Sequence, residues 1–269
     1  SMGHALITEL KPAVGVSHEE YAVLAAAQMA GVPSILLTDW FPPSNSPLGE
    51  DVAFADSIIF LGEDGSFALP GPVRRTPLYV GPVVRKMKYS VADRRRARAE
   101  LGIADDAFVA LVIPGAWATE ERSPISHIVI PAFRELGFPL KFLFWLTKAD
   151  HEKLTNEAIG IPGARILRDC DSVEQLMVAS DVIITKGNRG TIMEAASLGV
   201  PSISLSYGLN AVDETLVARV RSNKAFDAKT VDAAMLGAFL QHLAGIPLAQ
   251  RAVPLGLHAQ GGAVAAKAL

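Results

Sequence analysis

The sequence predicts an α/β protein built on parallel β-sheets. Short apolar runs of strand length alternate with helical stretches, and turns that contain glycine or proline separate them. The clearest unit lies at residues 179–205, where the β-branched strand 182–185 is followed by a polar turn, a helix at 191–198 and a second strand. A strand, a helix and a strand also follow one another within residues 11–38. Such βαβ units are typical of parallel sheets, and we expect one in each part of the chain.

The composition indicates a globular protein of ordinary charge. Of the 269 residues, 50% are apolar and 20% are charged, so we expect a sizeable core and little disorder. A net charge of −3 gives no general attraction to nucleic acid. The single cysteine, Cys170, excludes an internal disulfide framework and fits a reducing compartment. No apolar run reaches the ~18 residues of a membrane span and no signal peptide is recognisable, so we expect a cytoplasmic protein without a transmembrane segment.

The turn after the central strand has the features of an anion-binding site. Residues 186–190 join that strand to the helix that we expect to begin at Thr191. Backbone N–H groups at a helix N-terminus and the positive end of the helix dipole favour a phosphate at such a place. Lys186 and Arg189 add cationic side chains, and the hydroxyl group of Thr191 can cap the helix or donate to an oxygen.

Glu194 adds a carboxylate one turn further along the same helix. Because Thr191 and Glu194 are three positions apart, they lie on one helical face, and Glu194 can accept hydrogen bonds from the vicinal hydroxyls of a ribose. The same spacing also fits a capping box, in which Thr191 would be the N-cap and Glu194 would bond back to it. The residues alone leave both interpretations open.

The order of these motifs resembles that of GT-B glycosyltransferases, in particular the group with the N-acetylglucosaminyltransferase of peptidoglycan synthesis and the macrolide and plant glycosyltransferases. The loop 186–190, Thr191, Glu194 and the Leu-Gly-Val-Pro turn at 198–201 carry the resemblance, which extends from about residue 77 to the C-terminus. It implies a GT-B-like fold with two Rossmann-like lobes, with Glu194 on the donor's ribose. The residues that would hold the donor's diphosphate are Lys186, Gly187, Asn188, Arg189, Gly190 and Thr191. Relatives usually have glycine at the position of Asn188.

The resemblance also implies donor contacts elsewhere in the same lobe. Gly115 and Ala116 follow a predicted buried strand and would lie against the donor's phosphate or sugar. The motif is not a GxGxxG fingerprint and is weak by itself. Leu167 and Arg168 would contact the nucleobase at the end of the strand predicted at 164–167.

Asp213 and Glu214 are the candidate contacts for the hydroxyls of the donor sugar. They match only in part the acidic residue followed by glutamine that many relatives have here, and two carboxylates stabilised by a helix N-terminus explain them equally well. The resemblance implies a nucleotide-diphosphate sugar, most simply a UDP-sugar, as the substrate, and no cofactor. We expect no metal site, because the cationic groups of the loop can neutralise the diphosphate in place of a metal ion.

The expected domain boundary lies near Val83. Prolines and glycines between residues 70 and 82 mark a linker, and a similar stretch connects the two domains of GT-B enzymes. We therefore expect a partial N-terminal, acceptor-side lobe at residues 1–83 and a C-terminal nucleotide-sugar-binding lobe at residues 84–269. The first lobe is too short for a complete Rossmann-like domain, so it is reduced, part of a longer chain, or completed by a partner chain. A homodimer is one form of such a complex.

The segment 86–98 that follows the linker is strongly basic, with three consecutive arginines at 94–96. A phosphate-binding or membrane-surface role is one interpretation. The alternation of residues 92–101 favours a helix with a solvent-exposed charged face.

His18 is the candidate catalytic base in the partial lobe. It follows the strand predicted at 11–17, and a neutral imidazole can deprotonate an acceptor hydroxyl. A helix-start histidine beside Glu19 and Glu20 is the structural alternative. The predicted function is glycosyl transfer, inverting and metal-independent, to a hydroxyl group of an unknown acceptor. The alternatives are a nucleotide-sugar hydrolase or epimerase of the same fold, and a donor-binding subunit or inactive paralogue that needs a partner chain.

Overall fold

The computed structural model describes two units of the chain, each with its own parallel β-sheet. The first unit comprises residues 1–84 and 258–269, and the second comprises residues 85–257. The described residues are 2–42, 45–62, 68–71, 73, 75–85, 90–113, 124–136, 140–145, 152–167, 172–187, 189–206, 223–247 and 266–267.

The first unit begins with a helix and then alternates strands and helices. Its elements are α1 (Met2–Leu10), β1 (Gly15–His18), α2 (Tyr21–Met29), β2 (Ser34–Thr38), α3 (Pro47–Asp51), a 3-10 turn (Val52–Phe54), β3 (Ser57–Phe60) and β4 (Leu78–Tyr79). The four strands form a parallel sheet in the order β1-β2-β3-β4. The strand-helix-strand unit predicted within residues 11–38 is thereby confirmed.

The core of the first unit lies on one face of this sheet. Aromatic rings contribute much of it, since Phe41 and Phe60 stack with their centroids 5.0 Å apart. The buried side chains of this core are Tyr21, Leu24, Leu36, Phe41, Val52, Ala55, Ile58 and Phe60. On the opposite face Ile59 is buried, but Val16 and Leu78 are 47% and 45% exposed, so this face of the sheet is only partly covered.

The second unit is a doubly wound α/β arrangement. Its elements are α4 (Val91–Glu100), β5 (Phe108–Ile113), a π-helical turn (Ile125–Val129), α5 (Ile130–Glu135), β6 (Leu140–Trp145), α6 (Glu152–Ala158), β7 (Ala164–Leu167), α7 (Val173–Ala179), β8 (Val182–Thr185), α8 (Arg189–Ser197), β9 (Ser202–Ser206), β10 (Asn223–Asp227) and α9 (Ala233–Gly245). The strand order is β10-β9-β8-β5-β6-β7, and every pair is parallel. The predicted α/β class with two parallel sheets is confirmed.

Strand β5 lies in the middle of this sheet and is buried on both faces. Alternate side chains point to opposite faces of a strand, so β5 contributes to two separate cores. The first core contains Phe108, Ala110 and Val112 with Phe133 of α5 and Leu240 of α9. The second contains Val109, Leu111 and Ile113 with Ala97 of α4, Leu176 of α7 and Ala195 of α8. The sheet is therefore the middle of three layers.

Helix α4 corrects the prediction of a solvent-exposed charged face. Arg95 and Arg96 are exposed, but Arg94 and Arg98 are only 4% and 1% exposed. Because the two buried arginines are four positions apart, they lie on one face of α4, and this face packs against α7. Half of the basic character of the helix is therefore internal.

Both buried guanidinium groups bind Asp181, the residue immediately before β8. Arg94 Nη2 donates to Asp181 Oδ1 at 2.8 Å, and Arg98 Nη2 donates to Oδ2 at 2.7 Å. The backbone N–H of Val109 also donates to Oδ2 at 2.7 Å. The carboxylate thus connects α4, β5 and the start of β8.

The other N–H groups of the two arginines bind backbone carbonyls. Arg94 Nη1 donates to the carbonyl of Ser180 at 2.5 Å, and Arg98 Nε donates to that of Ala179 at 2.9 Å, both at the C-terminal end of α7. Arg98 Nη1 donates to the carbonyls of Ala104, Asp105 and Ala107. Buried charges are stable only with such a complete set of partners, and the negative end of the α7 dipole adds to it.

The described helices are short. The longest, α9, has 13 residues. None of the described helices combines the length and the apolar character needed to cross a bilayer.

Candidate functional site

The strand order of the second unit defines where a ligand site is expected. Counting from β5, the strands are added first on one side (β6, β7) and then on the other (β8, β9, β10). Strands β5 and β8 are direct neighbours, with Ile113 paired with Thr185 at their carboxyl ends. In open α/β sheets, ligands bind at the carboxyl edge where the winding direction reverses. This switch point lies between β5 and β8, next to the predicted diphosphate loop.

Strand β8 delivers that loop to the switch point. Its four residues are all buried, as expected for a β-branched strand in the middle of a parallel sheet. Lys186 follows the strand and is half-buried, and Gly187 is buried with φ at +100°. Residues with a side chain rarely adopt this φ, so glycine lets the chain turn sharply from the strand into α8.

The N-terminus of α8 lies directly after this turn. The helix has nine residues and begins at Arg189, two positions before the predicted start. The first backbone N–H groups of a helix have no partners within it and carry partial positive charge. Lys186 in the turn and Arg189 and Thr191 in the first turn of the helix are half-buried. The carboxyl end of β8 therefore carries local positive charge.

The start of α8 at Arg189 also decides between the two interpretations of Thr191 and Glu194. A capping box requires a threonine outside the helix at the N-cap position, whereas Thr191 is the third helical residue. The capping-box interpretation is therefore wrong. Glu194 is in the second turn and is available for another role.

Glu194 is half-buried, with 22% of its side chain exposed. Among the described residues, its carboxylate has an ion pair with Arg85, at 3.7 Å between Nε and Oε1, and accepts no side-chain hydrogen bond. Burial raises the pKa of Glu194 above its ordinary value, the positive charge of Arg85 opposes this, and the carboxylate of Glu174 adds to it. A half-buried carboxylate that accepts no side-chain hydrogen bond among the described residues is suited to binding a hydroxyl-bearing ligand.

The remaining predicted site residues are placed only in part. Leu167 ends β7 and is half-buried, and it packs against the second core of the unit. Gly190 is exposed in the first turn of α8. His18 ends β1 in the first unit, where its side chain is exposed. The predicted residues that lie outside the described part of the chain are Gly115, Ala116, Arg168, Asn188, Asp213 and Glu214.

Sequence reasoning missed an acidic pair beside His18. Glu19 and Asp39 follow β1 and β2, whose carboxyl ends are adjacent. Glu19 has φ at +62°, a strained value for a residue with a side chain. Burial acts to raise the pKa of Glu19, but hydrogen bonding with the side chains of Asp39 and Trp40, together with the charge of His18, lowers it below its ordinary value. The available signal in the sequence was that Glu19 and Asp39 each come directly after a strand.

Arg85 is the second residue that the sequence did not single out. It lies at the start of the second unit, far from Glu194 in the chain. An ion pair between such distant residues has no periodic signature in a sequence. In the sequence it lies between the linker and the basic segment 86–98.

A groove lies between α4 and α7. It has a volume of about 450 Å³ and is lined by Asp93, Arg96, Ala97, Glu100, Ser172, Glu174, Gln175 and Val178. Its polar groups pair with one another, since Arg96 Nη2 binds Asp93 Oδ1 at 2.6 Å and Gln175 donates to Glu100. Within the described residues, no three His, Cys, Asp or Glu side chains are arranged to hold a metal ion.

Two curated glycosyltransferases are similar to this chain in sequence. No protein-family model matches the chain. It is 26% identical to an uncharacterised glycosyltransferase of Methanopyrus kandleri over 202 residues, which are 71% of this chain and 56% of that protein. It is also 26% identical to the UDP-N-acetylglucosamine-N-acetylmuramyl-(pentapeptide) pyrophosphoryl-undecaprenol N-acetylglucosamine transferase of Desulforudis audaxviator over 215 residues, 76% of this chain and 56% of that protein. The chain thus spans about half the length of these curated relatives.

Solved structures share the fold over almost the whole chain at low sequence identity. MurG of Acinetobacter baumannii has a TM-score of 0.63 at 16% identity, with 90% of this chain and 67% of that one covered. A putative UDP-N-acetylglucosamine 2-epimerase of Listeria monocytogenes has a TM-score of 0.67 at 14% identity, with 99% and 76% covered. A spinosyn rhamnosyltransferase complexed with thymidine diphosphate has a TM-score of 0.64 at 14% identity, with 98% and 70% covered. The chain therefore has the fold of GT-B glycosyltransferases and is a relative of curated glycosyltransferases, as its motifs predict.

Proposed function

We propose that this protein transfers a sugar from a nucleoside-diphosphate donor to an acceptor hydroxyl, and that the donor binds at the carboxyl ends of β5 and β8. The observation that carries the proposal is the half-buried carboxylate of Glu194, one turn beyond a cationic loop at the switch point of the sheet. The cationic loop would bind the diphosphate of a nucleotide donor, and the carboxylate one helical turn away would bind its ribose. Sequence similarity to curated glycosyltransferases supports the transfer chemistry.

The diphosphate is assigned to the loop after β8. Its negative charge is complementary to the N-terminus of α8 and to the side chains of Lys186 and Arg189. Gly187 has no side chain that would keep the phosphate from the backbone N–H groups. When the bond from the anomeric carbon to the diphosphate breaks, negative charge grows on the leaving oxygen, and these groups stabilise it. We propose that they do so without a metal ion.

The ribose is assigned to Glu194. Two vicinal hydroxyl groups can each donate a hydrogen bond to one carboxylate oxygen. UDP is the nucleotide we favour, because the Desulforudis audaxviator relative is named for a UDP-linked sugar. The sugar and the acceptor are left open, since the residues proposed for the sugar, Asp213 and Glu214, lie outside the described part of the chain.

The proposed chemistry is a displacement with inversion. The acceptor oxygen bonds to the anomeric carbon as the bond to the diphosphate oxygen breaks, and the hydroxyl proton passes to a base. His18 is the proposed base, because its exposed imidazole lies at the carboxyl end of β1 in the acceptor-side unit. The single cysteine of the sequence is compatible with a cytoplasmic, reducing environment for this reaction.

Two other functions use the same donor site. A nucleotide-sugar epimerase or hydrolase is favoured by the fold similarity to the putative epimerase of Listeria monocytogenes. A donor-binding subunit or inactive paralogue that acts with a partner chain is the second alternative. Product analysis with a UDP-sugar separates them: free UDP with a new glycoside indicates transfer, an altered nucleotide sugar indicates epimerisation, and binding without turnover indicates a subunit.

The donor site itself is tested by nucleotide binding to Glu194→Gln. The variant removes the negative charge and one acceptor oxygen, so we expect UDP affinity to fall on the order of tenfold or more, as for hydrogen bonds to a charged group. Isothermal titration calorimetry with UDP measures this, after a thermal-shift comparison of UDP, GDP, dTDP, CDP and ADP.

Glu174→Gln is the matched control. Glu174, on α7, is the carboxylate whose negative charge helps to raise the pKa of Glu194, so this variant removes the same charge from the same neighbourhood. Loss of a nearby negative charge alone does not weaken the binding of an anionic ligand, and we expect Glu174→Gln to bind UDP at least as well as the wild type. Equal affinity of Glu194→Gln and the wild type would refute the ribose assignment.

A further inference from the structure

The turns after β1 and β2 bring two acidic side chains together in the first unit. The two strands are adjacent and parallel, and the backbone N–H of Glu19 donates to the carbonyl of Leu37 at 3.3 Å. Glu19 and Asp39 therefore lie side by side at the carboxyl ends of these strands. Both residues are half-buried, and each has a buried side-chain oxygen, Oε1 of Glu19 and Oδ1 of Asp39.

The side chain of Glu19 stabilises the turn after β2. It accepts hydrogen bonds from the backbone N–H of Asp39 and from the side chain of Trp40, whose indole N–H is its only donor. The ring of Trp40 also meets that of Tyr21 edge-on, with the centroids 6.4 Å apart. Glu19 itself has φ at +62°, a strained value for a residue with a side chain, so its contacts with the second turn compensate for strain in the first.

The carboxyl groups of Glu19 and Asp39 are also hydrogen-bonded to each other. A carboxylate has no proton to donate, so this bond exists only while one of the two groups is protonated. Burial acts to raise the pKa of Glu19, but the hydrogen bonds with Asp39 and Trp40 and the charge of His18 hold it below its ordinary value. The shared proton therefore resides on Asp39, which donates it to the ionised Glu19.

The surroundings of the pair favour one negative charge over two. His18, at the end of β1, is the charged neighbour that acts on Glu19. Glu20 is exposed, and Tyr21 begins α2 with a buried side chain. Two carboxylates at hydrogen-bonding distance repel each other, so the pair loses its second proton at a higher pH than an isolated carboxyl group does.

We propose that Glu19 and Asp39 form a pH-sensitive switch in which they share one proton, and that release of this proton to solvent as the pH rises opens the turns after β1 and β2. While the proton is present, Asp39 donates to Glu19 and both turns are closed. After its loss, the repulsion between two half-buried carboxylates and the strain at Glu19 favour the open form. The switch lies within the first unit and does not depend on the proposed function.

Infrared spectroscopy of the 269-residue chain tests for the shared proton, because the C=O stretch of a carboxylic acid is distinct from the stretches of a carboxylate. At about pH 6, roughly two units above the ordinary pKa of an aspartate, the wild type should show an acid band that Asp39→Asn lacks. Asp56→Asn is the matched control. A hydrogen bond from the backbone N–H of Ser34 is the first cause that lowers the pKa of Asp56, so this group is ionised and its removal should leave the band unchanged.

Hydrogen exchange followed by mass spectrometry tests the opening. Between about pH 5 and about pH 9, the peptides with Glu19 and Asp39 should come to exchange on the order of tenfold faster in the wild type, after correction for the intrinsic effect of pH. Asp39→Asn donates from its amide at every pH and should remain protected. Asp39→Ala has no donor and should exchange fast throughout, whereas His18→Gln should retain the transition.

Three results would overturn the inference. The acid band could persist in Asp39→Asn, the wild type could show no change in exchange with pH, or the change could be lost in His18→Gln and kept in Asp39→Asn, which would assign the titration to the imidazole. The band and the exchange are both followed in the wild type, where loss of the acid band at the pH of opening is expected. A band that titrates without any opening would also refute the switch, even if a variant failed to fold.

Discussion

Replacement of Asp181 by alanine should destabilise the second unit strongly. The substitution removes the carboxylate that binds Arg94 at 2.8 Å and Arg98 at 2.7 Å, and also leaves the backbone N–H of Val109 without its acceptor. Two guanidinium groups that are almost fully buried would then have no counter-charge. Loss of one partner of a buried ion pair costs about 3–5 kcal/mol. Since domains are stable by about 5–15 kcal/mol, this is a large part of the total.

Urea unfolding followed by far-UV circular dichroism measures the effect. With a denaturant dependence of about 1–3 kcal/mol per molar, the expected loss lowers the midpoint by at least 1 M. Asp105→Ala is the control, because it breaks an ion pair with Arg95 in which both side chains are more than half exposed, and such pairs contribute at most about 1 kcal/mol. Asp181→Asn keeps the shape of the side chain and provides a folded variant of intermediate stability.

The reasoning would be refuted if Asp181→Ala unfolded at the same urea concentration as Asp105→Ala. The guanidinium groups would then be stable in the interior on their carbonyl contacts alone. In that case the carboxylate would contribute no more than a surface ion pair.

Two further predictions concern backbone conformation and acid stability. Gly187→Ala should lower the melting temperature, because a side chain at φ of +100° costs about 1–3 kcal/mol. Gly190→Ala should raise the melting temperature, because alanine is favoured over glycine in a helix by about 0.5–1 kcal/mol and the added Cβ would meet nothing within 4 Å. Calorimetric scans that show the same shift for both variants would contradict this. A hydrogen bond from the backbone N–H of Ser34, and then the side chain of Arg75, hold the pKa of Asp56 below its ordinary value. The ionised Asp56 therefore stabilises the folded protein above pH ~3.9, its pKa in the unfolded chain. This stabilisation is lost as the pH falls through the lower pKa of the folded state. Urea midpoints of the wild type and Asp56→Asn should therefore converge as the pH falls below about 4, and a constant difference down to pH ~2 would exclude this role.

The regular part of the fold was predictable because its signals are local. The strand Val182–Thr185 has the predicted bounds, since its consecutive β-branched residues specify it within a few positions. Helix α1 and strand β10 were not predicted. Strand β10, Asn223–Asp227, is a polar edge strand that pairs with β9. Its residues do not show the periodic apolar pattern by which a strand is recognised in a sequence.

The internal arginines show where local reasoning fails. In the sequence, nothing distinguishes the buried Arg94 and Arg98 from the exposed Arg95 and Arg96 of the same helix. The burial of Arg94 and Arg98 depends on Asp181, which lies more than eighty positions further along the chain. A sequence does not state which cation meets a distant carboxylate. The same holds for the candidate site: the loop and Glu194 were proposed from their residue types and from the family resemblance, but the contact of Arg85 with Glu194 arises only from the fold.

The position of the buried Asp181 at the amino end of β8 has a consequence for protein engineering. Because all strands are parallel, this residue and its arginines lie at one edge of the sheet, and the loop that begins at Lys186 lies at the other. Residues that hold the second unit together are thus separate from residues that would choose its ligand. In a library that randomises positions 188–191 to change nucleotide or sugar preference, most variants should remain folded. In a library that randomises the same number of positions around Val109 and Asp181, most variants should fail to fold.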